Sequence, residues 1–178
     1  DVIKQLNDDA TRTNPEHKAI FVDAPAGTGK TFCFQTLLSY ERSRGEIAIA
    51  VAGSGIAGTL LAGGTTFHSR MKAYPDKEGE PFPISQTEEL WHMLKRTRLF
   101  IWDEATMMNN TYMRRLDEIL REIHDKPNVP WGGTCVVMAG DFRQNLPIIR
   151  HANRVQIIGA SLFKSCKTHG NWKKHVRT

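Results

Sequence analysis

The feature that most constrains this chain is the run Ala24-Pro25-Ala26-Gly27-Thr28-Gly29-Lys30-Thr31, set between an apolar stretch, Ala19 to Val22, and a helical one, Thr31 to Arg44. It matches the phosphate-loop pattern G-x-x-x-x-G-K-[ST] at every fixed position but the first, where Ala24 stands for Gly. A strand before and a helix after is the context such a loop needs. Gly27 and Gly29 let the chain curl so that successive N–H groups face inward, and the helix N-terminus adds positive potential for a β-phosphate. Lys30 reaches the β and γ oxygens, and the Thr31 hydroxyl is a ligand for Mg²⁺. With Pro25, Ala26 and Thr28, these residues form the expected ATP-binding segment. If position 24 needed positive φ, the Ala24 Cβ would cost on the order of 1 kcal/mol.

Two further stretches carry chemistry. Leu99-Phe100-Ile101-Trp102-Asp103-Glu104 reads as a buried strand ending in two carboxylates, at the end of the strand where ligands of α/β sheets bind. There Asp103 is the candidate to hold magnesium, through water or Thr31. Successive side chains point in different directions, so Glu104 is free to face a γ-phosphate and polarise a water, which favours hydrolysis over transfer. Cys135 to Met138 is a third strand running into Ala139-Gly140-Asp141-Phe142-Arg143-Gln144-Asn145-Leu146-Pro147. Gln144 is placed to bond both the γ-phosphate and the attacking water.

The spacing predicts five strands, at Ala19 to Val22, Ile47 to Val51, Leu99 to Trp102, Thr134 to Met138 and Val155 to Ile158. Most are apolar throughout, as strands buried on both faces of a parallel sheet are. Helices fall between them. Gly45 closes the first. Ser85-Gln86-Thr87-Glu88 is a capping box for a second, through about Lys95. Met113, Leu116, Ile119, Leu120 and Ile123 form the buried stripe of a third, with Asn110 or Thr111 as cap. Alternation of strand and helix argues a doubly wound α/β domain, a mostly parallel sheet with helices on both faces. The 178 residues amount to one domain. The proline-bearing stretch at about 72–84 reads as an exposed loop or small insertion. Three cysteines, never as C-x-x-C, favour neither a disulfide framework nor a thiolate zinc site. Cys166, His169 and His175 make only a weak metal set. The apolar runs fall far short of the roughly 18 residues of a membrane span. The opening Asp1-Val2-Ile3-Lys4 reads as part of a longer protein.

Net charge is +5, unevenly placed: residues 1–89 hold 9 Lys/Arg and 12 Asp/Glu, residues 90–178 hold 15 and 7. Beyond Asp141 there are eight basic residues and no acidic one, with Phe163 and Trp172 interleaved. Such a stretch suits a polyanion, or is simply a solvated face.

Four motifs in order, Ala26 to Thr31, Gly64-Thr65-Thr66-Phe67-His68-Ser69, Trp102-Asp103-Glu104-Ala105 and Gly140 to Pro147, resemble those of Pif-type DNA helicases, in wording nearest the branch carried by Helitron transposons. The resemblance spans about Ala19 to Ile149. It implies the first RecA-like, P-loop NTPase domain of a superfamily-one helicase moving 5′ to 3′ on single-stranded DNA, with Mg²⁺ and ATP bound and a second RecA-like domain lying outside this chain. It also implies roles. Gly53 to Arg70 becomes the single-strand contact region, with Thr66, His68 and Ser69 on the backbone and Phe67 stacking or packing. Gln144 becomes the γ-phosphate sensor, and Arg177, in His175-Val176-Arg177, a candidate arginine finger. The family's adenine-reading glutamine run is not reproduced by Gln5-Leu6-Asn7. An intracellular setting is expected, nuclear with mitochondrial as the alternative. The competing reading is a non-catalytic DNA-binding relic of a transposon helicase that uses the basic C-terminal stretch.

Overall fold

The computed structural model describes residues 19–74, 79–144, 147 and 153–162, and the backbone of a strand at Trp172–Arg177. In chain order the elements are β1 (Ala19–Asp23), α1 (Lys30–Ser43), β2 (Ile47–Ala52), α2 (Gly55–Thr59), β3 (Thr65–Thr66), α3 (Phe67–Met71), α4 (Glu89–Arg96), β4 (Thr97–Asp103), α5 (Asn110–Ile123), β5 (Cys135–Gly140), α6 (Arg154–Ala160) and β6 (Trp172–Arg177), with short 3-10 turns at Ala105–Met107 and Pro130–Gly133. The six strands form one sheet in the order β3-β2-β4-β5-β1-β6, and every pairing is parallel.

The uninterrupted apolar strands are explained by two cores, one on each face. Along β4 and β5 the side chains alternate. Leu99, Ile101, Cys135, Val137 and Ala139 join Phe34, Leu37 and Leu38 of α1, while Phe100, Trp102, Val136 and Met138 join Leu116 and Leu120 of α5. The helices show the matching stripes. Phe34, Leu37, Leu38 and Glu41 are the buried face of α1, and Tyr112, Met113, Leu116, Ile119, Leu120 and Ile123 that of α5. This is the doubly wound α/β architecture, with a RecA-like P-loop fold.

Four expectations are corrected. Val155 to Ile158 is helical, not extended. Asn153 and Gln156 form a reciprocal capping box that starts α6 (Asn153 Oδ1 accepts from Gln156 N at 3.0 Å, Gln156 Oε1 from Asn153 N at 2.8 Å), and Val155 is 78% exposed, so no sheet face claims its β-branched residues. Trp172–Arg177, where no strand is expected, is an edge strand beside β1. The cap of α5 is Asn109, whose side chain accepts from Thr111 N. The Ser85 box is half made: Glu88 Oε1 accepts from Ser85 N, but the helix begins one turn later, at Glu89.

The stretch at 72–84 forms no helix or strand where described, yet it is not simply exposed. Ala73, Phe82 and Ile84 are buried, and the Phe82 ring meets Phe67 edge-on. Lys164, Cys166, Lys167, His169, Asn145 and Leu146 lie outside the described residues. Among the described residues there is no cluster of His, Cys, Asp and Glu fit for a metal, and no helix long and apolar enough to cross a membrane.

Candidate active site

The C-terminal ends of β1, β4 and β5 lie side by side, and each runs into a loop that faces one cleft of about 400 Å³. From β1 comes the phosphate loop, with Gly27 at φ 78° and Gly29 at φ 87°, conformations that only glycine adopts without strain. A Cβ built on either glycine would meet nothing within 4 Å, so the loop is an open cradle. Ala24, by contrast, is absent from the positive-φ positions and is 1% exposed, so it carries no backbone penalty there. Thr28 Oγ1 donates to Pro25 O at 2.8 Å and closes the loop on itself. Lys30 Nζ donates to Ala24 O at 2.6 Å and to Pro25 O at 2.9 Å, which holds the ammonium against the loop. Helix α1 starts at Lys30 with no side-chain cap at Gly29, so its first N–H groups are left for a ligand.

From β4 come the carboxylates. Asp103 is 5% exposed, and burial pushes its carboxyl above the ordinary value of 3.8, opposed by the Glu104 N–H it accepts at 2.8 Å and by the charge of Lys30. A buried carboxylate beside an ammonium, at the mouth of a phosphate cradle, is a donor set suited to a hard divalent cation. Thr31 and Asp103 line the same cleft, so the residues fit magnesium as well as a nucleotide triphosphate. Glu104 has a left-handed backbone (φ 50°, ψ 35°), and its Oε2 accepts from Ser54 Oγ at 2.8 Å. From β5 come Gly140, Asp141 and Gln144. Gly140 is obligatory by contact, since a Cβ there would lie 2.6 Å from the Thr106 side chain. Asp141 accepts from Arg143 N at 2.9 Å and Arg143 Nε at 3.0 Å, and these bonds hold its carboxyl below 3.8. Gln144 is exposed, and its backbone N–H donates to Asp141 O at 3.2 Å.

Thus Ala26, Gly27, Gly29, Lys30, Thr31, Asp103, Glu104 and Gln144 line one cleft, whereas Pro25 and Thr28 support it from the loop. The segment Thr66 to Ser69 lies apart, across β2. Ser69 is exposed, Thr66 and His68 are half-buried, and Thr66 Oγ1 caps α3 by accepting from Ser69 N at 3.2 Å. Burial lowers the His68 imidazole below 6.5. Of the two roles expected for Phe67, stacking or packing, the structure shows packing: the ring is fully buried and stacked on Trp102 at 4.0 Å. Arg177 pairs in register with Asp23, at the end of the sheet that carries the phosphate loop.

Sequence reasoning missed Ser54, Asp141 and the walls Ala57, Leu60 and Thr106. For Ser54 a signal existed, a serine just past the end of an apolar strand, between Gly53 and Gly55, which is an N-cap pattern. For the walls there was none, since they reach the cleft only through folding.

A PIF1-like helicase family profile matches residues 1–177, nearly the whole chain. The chain belongs to the PIF1-like helicase family. Among curated PIF1-like relatives it is 31% identical over 137 residues to the ATP-dependent DNA helicase PIF1 of Trypanosoma brucei brucei, covering 75% of this chain and 14% of that protein. It is also 31% identical over 134 residues to the ATP-dependent DNA helicase Pif1 of Psychrobacter sp., covering 74% and 20%. A Pif1 helicase crystal structure from Candida albicans superposes with TM-score 0.76 at 23% identity, over 99% of this chain and 37% of that one, which is a likeness of fold. A Bacteroides Pif1 in complex with ADP-AlF3 and ssDNA superposes with TM-score 0.67 at 28% identity, over 89% and 35%. This PIF1-like chain therefore spans a fifth or less of the length of these two curated relatives, and little more than a third of the solved chains.

Proposed function

We propose that this chain is the nucleotide-binding motor domain of an ATP-dependent DNA helicase, which binds Mg-ATP in the cleft and hydrolyses it to drive movement along single-stranded DNA and unwinding of duplex. The observation that carries this reading is the convergence of Lys30, Asp103, Glu104 and Gln144, from three separate strand ends, on one cleft. Loop N–H groups and the start of α1 bind the β-phosphate. Lys30 leaves the Ala24 and Pro25 carbonyls for β and γ oxygens. Thr31 and Asp103 would hold magnesium, which when bound supplies positive charge against the phosphate oxygens. Glu104 takes a proton from the attacking water, and Gln144 orients that water beside the γ-phosphate.

Single-stranded DNA runs over Thr66, His68 and Ser69, and the phosphate contacts come from their polar atoms, not from the Phe67 ring. A second RecA-like domain closes the cleft from the far side, and closing and opening shift the grip on the strand. Arg177 is the proposed arginine finger. The wording of the four ordered motifs supports the Helitron branch, and the Pif-type resemblance supports translocation 5′ to 3′. The Bacteroides Pif1 solved with ADP-AlF3 and ssDNA supports both ligands by analogy. The test is ATP hydrolysis by the full-length protein with and without single-stranded DNA. Stimulation by DNA, abolished by Glu104→Gln, is expected, and a rate indifferent to DNA or to Glu104→Gln refutes the reading.

A further inference from the structure

Ser54 makes two bonds at once. Its Oγ accepts from Ala57 N at 3.3 Å, capping α2, and donates to Glu104 Oε2 at 2.8 Å. The contact joins residues 50 apart in sequence, and it is built in. Gly53 N donates to Asp103 O at 2.9 Å, and a Cβ on Gly53 would lie 2.5 Å from Glu104 O, so only glycine lets the two strand ends approach this closely. On its other side α2 is fixed to β3. A Cβ on Gly58 would lie 2.9 Å from the Thr65 carbonyl carbon, which means the two backbones touch. Residue 65 leads directly through the Thr66 cap into α3, which carries His68 and Ser69. A tightly packed unit thus runs from Ser54, on the carboxylate, to Ser69, on the exposed side.

We propose that Ser54 is a positioning residue that couples the Thr65 to Ser69 segment to the reactivity of Glu104, resting on the hydrolysis reading above. With the segment at rest, the Ser54 hydroxyl occupies a lone pair of the Glu104 carboxylate that would otherwise take a proton from water. A single strand bound at Thr66, His68 and Ser69 shifts α2 with its cap, breaks the 2.8 Å bond and frees the carboxylate. The bond, made or broken, is the two-state element that both sites bias.

The experiment measures kcat of the full-length protein without DNA and with saturating oligothymidylate, together with the Kd for Mg-ATP. Ser54→Ala raises the DNA-free kcat by about tenfold, the weak end of what one hydrogen bond to a charged group contributes, and reduces DNA stimulation by the same factor at unchanged Kd. Ser54→Thr keeps both the cap acceptor and the donor and restores the wild-type ratio. An unchanged stimulation ratio in Ser54→Ala, or an equal fall in both rates, overturns the proposal. A wild-type protein without DNA stimulation overturns the functional reading instead, so the two failures are distinct.

Discussion

Phe67 sits inside the motif that resembles a DNA contact, and its burial makes a sharp prediction. The ring is fully buried, stacks on Trp102 at 4.0 Å with planes 13° apart, and meets Phe82 and Tyr112 edge-on at 5.8 and 5.9 Å. Truncating such a ring to Ala removes its transfer energy and leaves a cavity that strands β2 and β4 are too constrained to close, a cost of about 3–5 kcal/mol. For a domain of this size about 2–4 °C is lost per kcal/mol, so Phe67→Ala lowers the melting midpoint by roughly 6–20 °C. If the ring instead stacked on a base, its removal would weaken single-strand affinity by ~1–3 kcal/mol, or roughly 5- to 150-fold, at little cost in stability. Melting followed by tryptophan fluorescence, with Trp102 directly under the ring, reads the first quantity. Anisotropy titration of a labelled oligonucleotide, at a temperature where both proteins are folded, reads the second. Phe67→Leu, which keeps most of the apolar volume, recovers most of the midpoint. A Phe67→Ala variant within about 1 kcal/mol of wild type but with tenfold weaker DNA binding would mean that the ring contacts a base and not the core.

Asp103 carries an opposite trade. Burial raises its folded value above 3.8, so its contribution to stability is full below 3.8 and is lost as pH rises through the folded value; at neutral pH the ionised carboxylate disfavours folding. Asp103→Asn is therefore expected to melt higher than wild type at pH 7, with the difference shrinking toward pH 4, while magnesium-dependent nucleotide binding is lost; a lower midpoint at pH 7 contradicts this. Gly53→Ala places a methyl 2.5 Å from Glu104 O and must push β2 and β4 apart at their ends, at a cost of roughly 1–3 kcal/mol. Hydrolysis falls with it, and thermal melting beside single-turnover rates checks both.

Much of the fold was legible because its signals are local. The strands at Ala19, Ile47, Leu99 and Cys135 are apolar runs whose both-face burial the parallel sheet requires, and the stripes of α1 and α5 match their spacing. Val155 to Ile158 misled because β-branched residues resemble a strand, while the decisive signal was polar, the Asn153 and Gln156 pair. Trp172–Arg177 escaped because Lys173, Lys174 and Arg177 mask the pattern, as charges on an edge strand do. At the site, the phosphate loop and the Asp103-Glu104 pair were readable from their context of strand and turn. Phe67 had two readings, and only the packing of Trp102, Phe82 and Tyr112 around it decides between them. Ser54 could be read as a helix cap, but its bond to Glu104 spans two strand ends and exists only in the folded sheet.

On the motor-domain reading the cleft holds Mg-ATP through Lys30. The most direct measurement is calorimetric titration of Mg-ATP into the wild-type protein and into Lys30→Ala, at fixed magnesium and salt. Saturable binding with one site per chain is expected for wild type, weakened at least tenfold in Lys30→Ala because a charged contact to the phosphates is gone. No nucleotide binding by the folded wild-type protein, with salt-dependent DNA affinity as its sole activity, would rule out an ATP-driven motor and leave the DNA-binding relic in its place.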